Sequence, residues 1–449
     1  MIDAVTKLLR VRAGFGSLRR LEGADRTLAV GTAGTLALNV AQTLLSFAVT
    51  FSLSRLLGAD GVGAYVYAFA WASLLAVPSV LGLTPLVVRN VAAYREREEW
   101  GLLRGLLARA NAAVMISSAL LVTGGASAAL IVNGSEPELL YPVLVGLLLV
   151  PIVALTSIRQ AAMQGLGRVV VGRIPETLIA PAIFLALIGI AYGVRRESPS
   201  VTAVVALQNA SFIVTLAVGA VLLRKALPQH AKTERAQHAM GEWIRSALPL
   251  LLFSGIQALN AQVDVILLGA IKGSSEAGVF AVAGRIATVV AFLMLAVSYP
   301  AAPLIARLHA SGQTELLRRT VRRAALAIFL ASLPIACGVF VFARQLLAIF
   351  GDEFQGGVTT LIMLAAAQLV FVATGFAGTV LVMTGHESLL VRGVVVGVTL
   401  TIGLNAVLIP AYGRNGAAAA SLIGFTVMNV FLAYLARQRA GVPSTAFRV

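Results

Sequence analysis

The sequence predicts an all-α integral membrane protein of about twelve transmembrane helices, arranged as two pseudo-repeated six-helix bundles around a central cavity. Three observations carry that expectation: scarce charge, regularly spaced apolar runs, and short phrases that recur in order in the two halves. Of 449 residues, 59% are hydrophobic and only 12% charged, with a mean hydropathy of +0.91. Soluble domains carry about 25% charged residues, so this chain cannot cover a water-facing surface of ordinary extent. A soluble enzyme, a disordered regulator and a small secreted module are excluded.

A bilayer core about 30 Å thick needs about 20 predominantly apolar residues per helix. Such runs fall at 27–54, 62–88, 105–132, 138–158, 174–193 and 201–223. Six more follow at 244–271, 277–305, 324–349, 357–384, 393–411 and 415–436. The longest polar connection, 224–243, separates the two sets. The chain therefore reads as a basic segment 1–26, an N-lobe 27–223, a linker 224–243, a C-lobe 244–437 and a tail 438–449.

Orientation follows from the preference of Lys and Arg for cytoplasmic loops. Of 35 basic residues, only Arg55, Arg195, Arg196, Lys272, Arg285, Arg344 and Arg414 fall on one side of this topology. The other 28 share the side that holds both termini and the linker, which is the cytoplasmic side of a plasma membrane. In the first segment, Val5, Leu8, Leu9, Phe15 and Leu18 recur among Lys7, Arg10, Arg12, Arg19 and Arg20. That pattern suits an interfacial amphipathic helix and equally a basic tail that enforces topology.

The repeat is legible in four places. Leu56-Leu57-Gly58-Ala59 is echoed by Leu267-Leu268-Gly269-Ala270, and Gly63-Ala64-Tyr65 by Gly278-Val279-Phe280. Pro85-Leu86-Val87-Val88-Arg89 matches Pro303-Leu304-Ile305-Ala306-Arg307, and Met163-Gln164-Gly165 matches Met383-Thr384-Gly385. Two six-helix copies enter the membrane in the same direction. They are related by an axis along the membrane normal, with the transport path at their interface.

Several chemistries are missing. The net charge of +16 is dispersed between apolar runs, so no face gathers a nucleic-acid footprint. One cysteine, Cys337, allows neither an intramolecular disulfide nor a cysteine metal cluster; it reads as a small buried side chain. There is no Gly-Lys dipeptide for a phosphate loop, no second histidine to complete His386-Glu387 as a zinc motif, and no Asp-x-Asp pair. No cofactor and no metal are expected. Asn133-Gly134-Ser135 has the form of a glycosylation sequon in an outward loop.

Ionisable groups inside a span are costly and are functional candidates by default. Asp264 and Arg285 sit on adjacent antiparallel helices at matching depth, about 10 and 12 Å from the outer end at 1.5 Å per residue. They predict an ion pair, serving either as a charge site in a wet cavity or as a structural pin. Asp264 reads as the only acid deep in any span, and Arg55 either joins the cavity or snorkels to the interface. Uncharged polar residues form two stripes: Thr35, Asn39, Gln42, Ser46 and Thr50 on helix 1, and Ser254, Gln257, Asn260 and Asp264 on helix 7. Interhelical hydrogen bonding explains any one of them; matching stripes on the opening helices of both halves favour a hydrated cavity. The spacing of Gly393 and Gly397 permits close helix packing.

The run Arg55-Leu-Leu-Gly-Ala-Asp-Gly-Val-Gly-Ala-Tyr65 resembles the first loop of the polysaccharide-transporter flippases. So does its echo, from Asp264-Val-Ile-Leu-Leu-Gly269 through Ala277-Gly278-Val279-Phe280 to Ala283-Gly-Arg285. These belong to the multidrug/oligosaccharidyl-lipid/polysaccharide exporter superfamily, and the likeness extends over about 27–437. It implies two six-helix bundles around a V-shaped cavity and movement of an undecaprenyl-pyrophosphate-linked oligosaccharide from the inner to the outer leaflet by alternating access. The family's cationic cavity maps onto Arg285 and Arg55, with Asp264 as partner. The expected partners are a lipid-linked glycan, membrane lipids and a coupling ion, H+ or Na+. The extra helix pair of the peptidoglycan-precursor flippases is missing. The alternative within the superfamily is a cation-coupled multidrug antiporter, which would want more buried carboxylates. A general six-plus-six secondary transporter and a polytopic glycosyltransferase rank below it, the latter for want of an external loop and acidic metal ligands.

Overall fold

The computed structural model describes residues 22–134, 136–195, 197, 199–237, 240–439, 441–442 and 445–446. The basic segment before residue 22 lies outside them, as does Ser135 of the sequon. The first half comprises α1 (Glu22–Ser79), α2 (Leu83–Glu96), α3 (Trp100–Asn133), α4 (Pro137–Gly146), α5 (Leu149–Gly165), α6 (Val169–Ile174), α7 (Ala180–Arg195) and α8 (Val201–Ala226). A π turn, Pro175–Ile179, joins α6 to α7. The linker holds a short helix of its own, α9 (Gln229–Thr233). The second half comprises α10 (Met240–Lys272), α11 (Ser274–Ala310), α12 (Thr314–Val341), α13 (Ala343–Phe350), α14 (Val358–Thr374), α15 (Ala377–Met383) and α16 (Glu387–Arg439). No strand occurs among the described residues.

Among the described residues, ten helical segments are long and apolar enough to cross a membrane, and two of these fold back on themselves. In α16 the turn is at Gly413 (φ 54°, ψ −134°). Beyond it, Leu432 returns against Gly393 and Met428 against Gly397, so the expected close-packing glycines join the two arms of one helix. In α1 the turn is at Gly58 (φ 66°, ψ −173°). Gly34 lies against Val170, and beyond the second arm Arg95 Nη1 reaches the Leu166 carbonyl at 2.7 Å. The first arm of α1 and the helix that follows its second arm, α2, therefore meet the same stretch, 166–170. Positive φ is strained for any residue with a Cβ, which is why glycine stands at each bend.

Each bend also releases a backbone N–H that needs an acceptor. Ala59 N donates to Glu353 Oε2 at 2.6 Å, and Arg414 N donates to Glu276 Oε2 at 2.8 Å. A carboxylate at a helix N-terminus is favoured by the helix dipole as well. Both bends, Gly273 and Gly351 lie at one end of the molecule, where the halves are fused. There a single apolar core takes residues from 53–72, 129–150 and 184–205 of the first half and from 266–290, 336–365 and 409–418 of the second.

At the opposite end the core divides. Among the described residues, one cluster draws on 80–114 and 154–166 of the first half and on Ala231 of the linker. The other draws only on 291–328, 372–398 and 428–442 of the second. The halves thus share a core at one end and, among the described residues, keep separate cores at the end where basic residues concentrate, where α2 of the first half still packs on α10 of the second.

The joint is unusually close. A Cβ on Gly63 would overlap the Ser274 carbonyl, and one on Gly278 would overlap the Ala59 carbonyl. These are reciprocal contacts: Gly278 and Ser274 follow Gly63 and Ala59 by the same number of residues, and Gly63 and Gly278 are the echoed pair of the sequence repeat. One expectation fails. Cys337 is exposed, not buried. An apolar run does not distinguish a helix face turned to lipid from one turned to protein, because both environments are apolar.

Candidate functional site

The opening helices of the two halves, α1 and α10, pack together, and α10 also packs on α16. On α10, Asp264 is half-buried and both carboxylate oxygens are occupied by α16. Oδ1 accepts from Asn405 Nδ2 at 2.5 Å, and Oδ2 accepts from Ser421 Oγ at 2.5 Å. Asn405 and Ser421 stand on either side of the Gly413 bend, so the folding of α16 assembles this site. Asn405 is fully buried, and its Oδ1 has no hydrogen-bond partner. The carboxylate is thus held by one N–H and one O–H donor, neither of them charged. No group of three or more His, Cys, Asp or Glu suited to a metal occurs among the described residues.

The expected Asp264–Arg285 ion pair does not form; it is not among the ion pairs of the described residues. Adjacent helices at matching depth do not guarantee facing side chains, because rotation about each axis decides that. Asp264 turns to α16. The Arg285 side chain is exposed and lies within electrostatic range of Tyr65 of the first half. Tyr65 in turn donates to Gln208 Oε1 at 2.5 Å and stacks on Phe184. Arg285 thus sits at the seam between the halves, on a helix, α11, that packs on α1.

Arg55 does not join Arg285. Its Nε donates to the Ile349 carbonyl at 3.0 Å and its guanidinium lies 5.7 Å from the Phe51 ring centre. With the Glu353–Ala59 bond and the 3.2 Å bond from Ser274 Oγ to Asp60 Oδ1, it ties the halves at their fused end. Of the α1 stripe, Asn39 Oδ1 accepts from Arg173 Nη2 at 3.2 Å, while Gln42 is exposed. On α10, Gln257 is exposed and Asn260 half-buried. A cavity of about 230 Å³ lies between the halves, lined by Ser73, Val77, Thr84, Val153 and Ser157 of the first and Ser254 of the second.

Asp264 is not the only acid inside a span. Glu176 lies within the crossing segment Val169–Val194, and Arg159 within Pro137–Gly165. The two form a buried ion pair. Arg159 is only 4% exposed and also reaches the Gly172 carbonyl at 3.3 Å. Gly219 makes room for it, since any Cβ there would overlap the guanidinium. Sequence reading missed the pair because the fourth span was closed at 158, which left Arg159 outside it. The available signal was the Gly165–Gly167 turn: ending the helix there places Arg159 about 9 Å inside at 1.5 Å per residue.

The comparisons with known proteins agree with this architecture. The family model described as polysaccharide biosynthesis protein matches residues 28–309, and the MatE model matches 249–408. A relative from Haloferax volcanii, the probable low-salt glycan biosynthesis flippase Agl15, is 25% identical over 173 residues, 38% of this chain and 37% of that protein. The chain thus matches little more than a third of that relative's length. Among solved structures, an inward-facing multidrug resistance MATE family transporter of the MOP superfamily superposes with a TM-score of 0.74 at 14% identity, covering 91% of this chain and 98% of that one. The lipid II flippase MurJ, in an inward closed conformation, gives 0.71 at 12% identity, covering 89% and 87%. At such identities the likeness is one of fold.

Proposed function

The chain belongs to the polysaccharide biosynthesis protein family and is a multi-pass membrane protein of the flippase and transporter class, and from that premise we propose that it moves a lipid-linked oligosaccharide, of the undecaprenyl-pyrophosphate type, from the inner to the outer leaflet of the plasma membrane. On this reading the bends at Gly58 and Gly413 complete twelve crossings in two six-helix lobes, 27–223 and 244–437. Both termini and the linker 224–243 face the cytoplasm.

The observation that carries the proposal is the split core: the halves share one apolar cluster at the bends and have separate clusters at the basic end. A sugar headgroup cannot cross about 30 Å of hydrocarbon unaided, since each polar group stripped of water costs several kcal/mol. A cleft open at one end and closed at the other removes that cost while the lipid tail stays in the bilayer. Within it, Arg285 holds the pyrophosphate, for which a guanidinium offers a bidentate fork. Asn39, Gln42, Gln257 and Asn260 keep the path wet. Asp264, with Asn405 and Ser421, takes the coupling ion, H+ or Na+. Closing the basic end and releasing the Arg55, Asp60 and Glu353 contacts at the other would expose the cleft to the opposite leaflet.

Reconstitution in liposomes with a fluorescent lipid-linked glycan tests this. Transfer between leaflets without nucleotide is expected, and Arg285→Ala is expected to abolish it while the protein remains folded. Normal transfer in that variant would remove Arg285 from the substrate path. The second reading, a cation-coupled multidrug antiporter, is favoured by the MatE match over 249–408 and by an Asp264 carboxylate held by neutral donors. It predicts gradient-driven movement of an organic cation and no glycan transfer in the same liposomes.

A further inference from the structure

A groove of about 350 Å³ opens between the first turns of α3 and the last turns of α8, with α9 across its end. Its lining comes from α3, the end of α8 and the linker, with no residue of the second half, so it is separate from the cleft. It borders α3, whose most apolar stretch is only 17% buried within the protein and therefore faces lipid. Trp100, the first residue of α3, marks the level of the membrane interface, where amphipathic rings concentrate.

The groove has the polarity of an amphiphile. At its mouth are Arg104, about 6 Å into α3, and Arg224, in the last turn of α8. Arg104 is held across the mouth by the Glu234 carbonyl at 2.8 Å. Arg224 is exposed and makes no ion pair among the described residues. Deeper in, Leu107 supplies an apolar wall and Ala108 leaves room beside it, while Leu227 adds an apolar contact just past the end of α8. Asn111, about 16 Å into the helix, supplies an amide donor at depth. Lys225 adds exposed positive charge beside the mouth, against Glu98 and Glu99 just before α3.

We propose that this groove binds one anionic glycerophospholipid from the leaflet at the basic face. Its phosphate lies between Arg104 and Arg224, an ester carbonyl accepts from Asn111, and an acyl chain fills the space over Ala108. Basic pockets between transmembrane helices at such a level are suited to anionic headgroups. The site requires neither glycan nor coupling ion, so it stands or falls apart from the transport reading.

Native mass spectrometry of the full chain in detergent, titrated with phosphatidylglycerol, phosphatidylcholine or inorganic phosphate, tests the proposal. Retention of phosphatidylglycerol over phosphatidylcholine is expected. Arg224→Gln should weaken it about fivefold, and Arg104→Gln with Arg224→Gln about thirtyfold. Ala108→Phe, which fills the groove without touching a charge, should displace the lipid in the same way. The single Arg224→Gln keeps the test decisive if the double variant fails to fold. Equal retention of both lipids, unchanged binding in Arg224→Gln, or displacement by inorganic phosphate alone would overturn it.

Discussion

The first half buries its acid against a cation, whereas the second half buries its acid against neutral donors. Glu176 meets Arg159, and Asp264 meets Asn405 and Ser421. The contrast teaches that a carboxylate within a span has two different meanings. A paired carboxylate is electrically closed and serves packing: Arg159 is enclosed by α5, α6 and the Gly219 face of α8. A carboxylate met only by neutral donors has no balancing cation among the described residues, which is what the proposed coupling ion would supply. The π turn at Pro175–Ile179 belongs to the closed kind, since Pro175 cannot donate a backbone hydrogen bond and the wide turn carries Glu176 beside Arg159.

Three experiments break or sharpen that contrast. The largest effect is expected from Arg159→Met, which leaves Glu176 buried and unpaired, at a cost of about 3–5 kcal/mol. Thermal unfolding in detergent should show the loss, and combining it with Glu176→Gln should restore most of it. Wild-type stability in Arg159→Met would mean that the pair is not closed. Next is Asp264→Asn, for which the opposite pattern is expected. Its melting midpoint should move little, while gradient-driven transport in liposomes is lost; a transport rate equal to wild type would sink the assignment of a mobile cation to the second half. The smallest effect is expected at the fused end. Glu353→Gln weakens the acceptor for Ala59 N–H by about 1 kcal/mol, which shifts the balance between open and closed ends about fivefold. Distance measurements between spin labels on the two halves at that end would report the shift, and an unchanged distribution would show that Glu353 does not hold the halves together.

Much of this architecture was legible in the sequence for local reasons. Apolar length marks a crossing, because hydrocarbon leaves backbone groups no partner except one another. The bends fell where Gly58 and Gly413 interrupt long apolar stretches, and the echo of Gly63 by Gly278 picked out the two glycines that meet at the joint. Candidate residues were legible only as types. Asp264 was visible as a costly acid, and Arg55 and Arg285 as costly cations. Their pairing was not visible: Arg55 ties the fused end, Arg285 faces Tyr65, and Asp264 turns away from both.

The sequence by itself determined that the chain spans a membrane, roughly where each span lies and which end is basic, because hydropathy and charge act residue by residue along the chain. Only the tertiary structure decided which side chains meet. A helix presents every residue to some direction, and the rotation that sends Asp264 to α16, or encloses Arg159 with Glu176, is fixed by how helices distant in sequence pack.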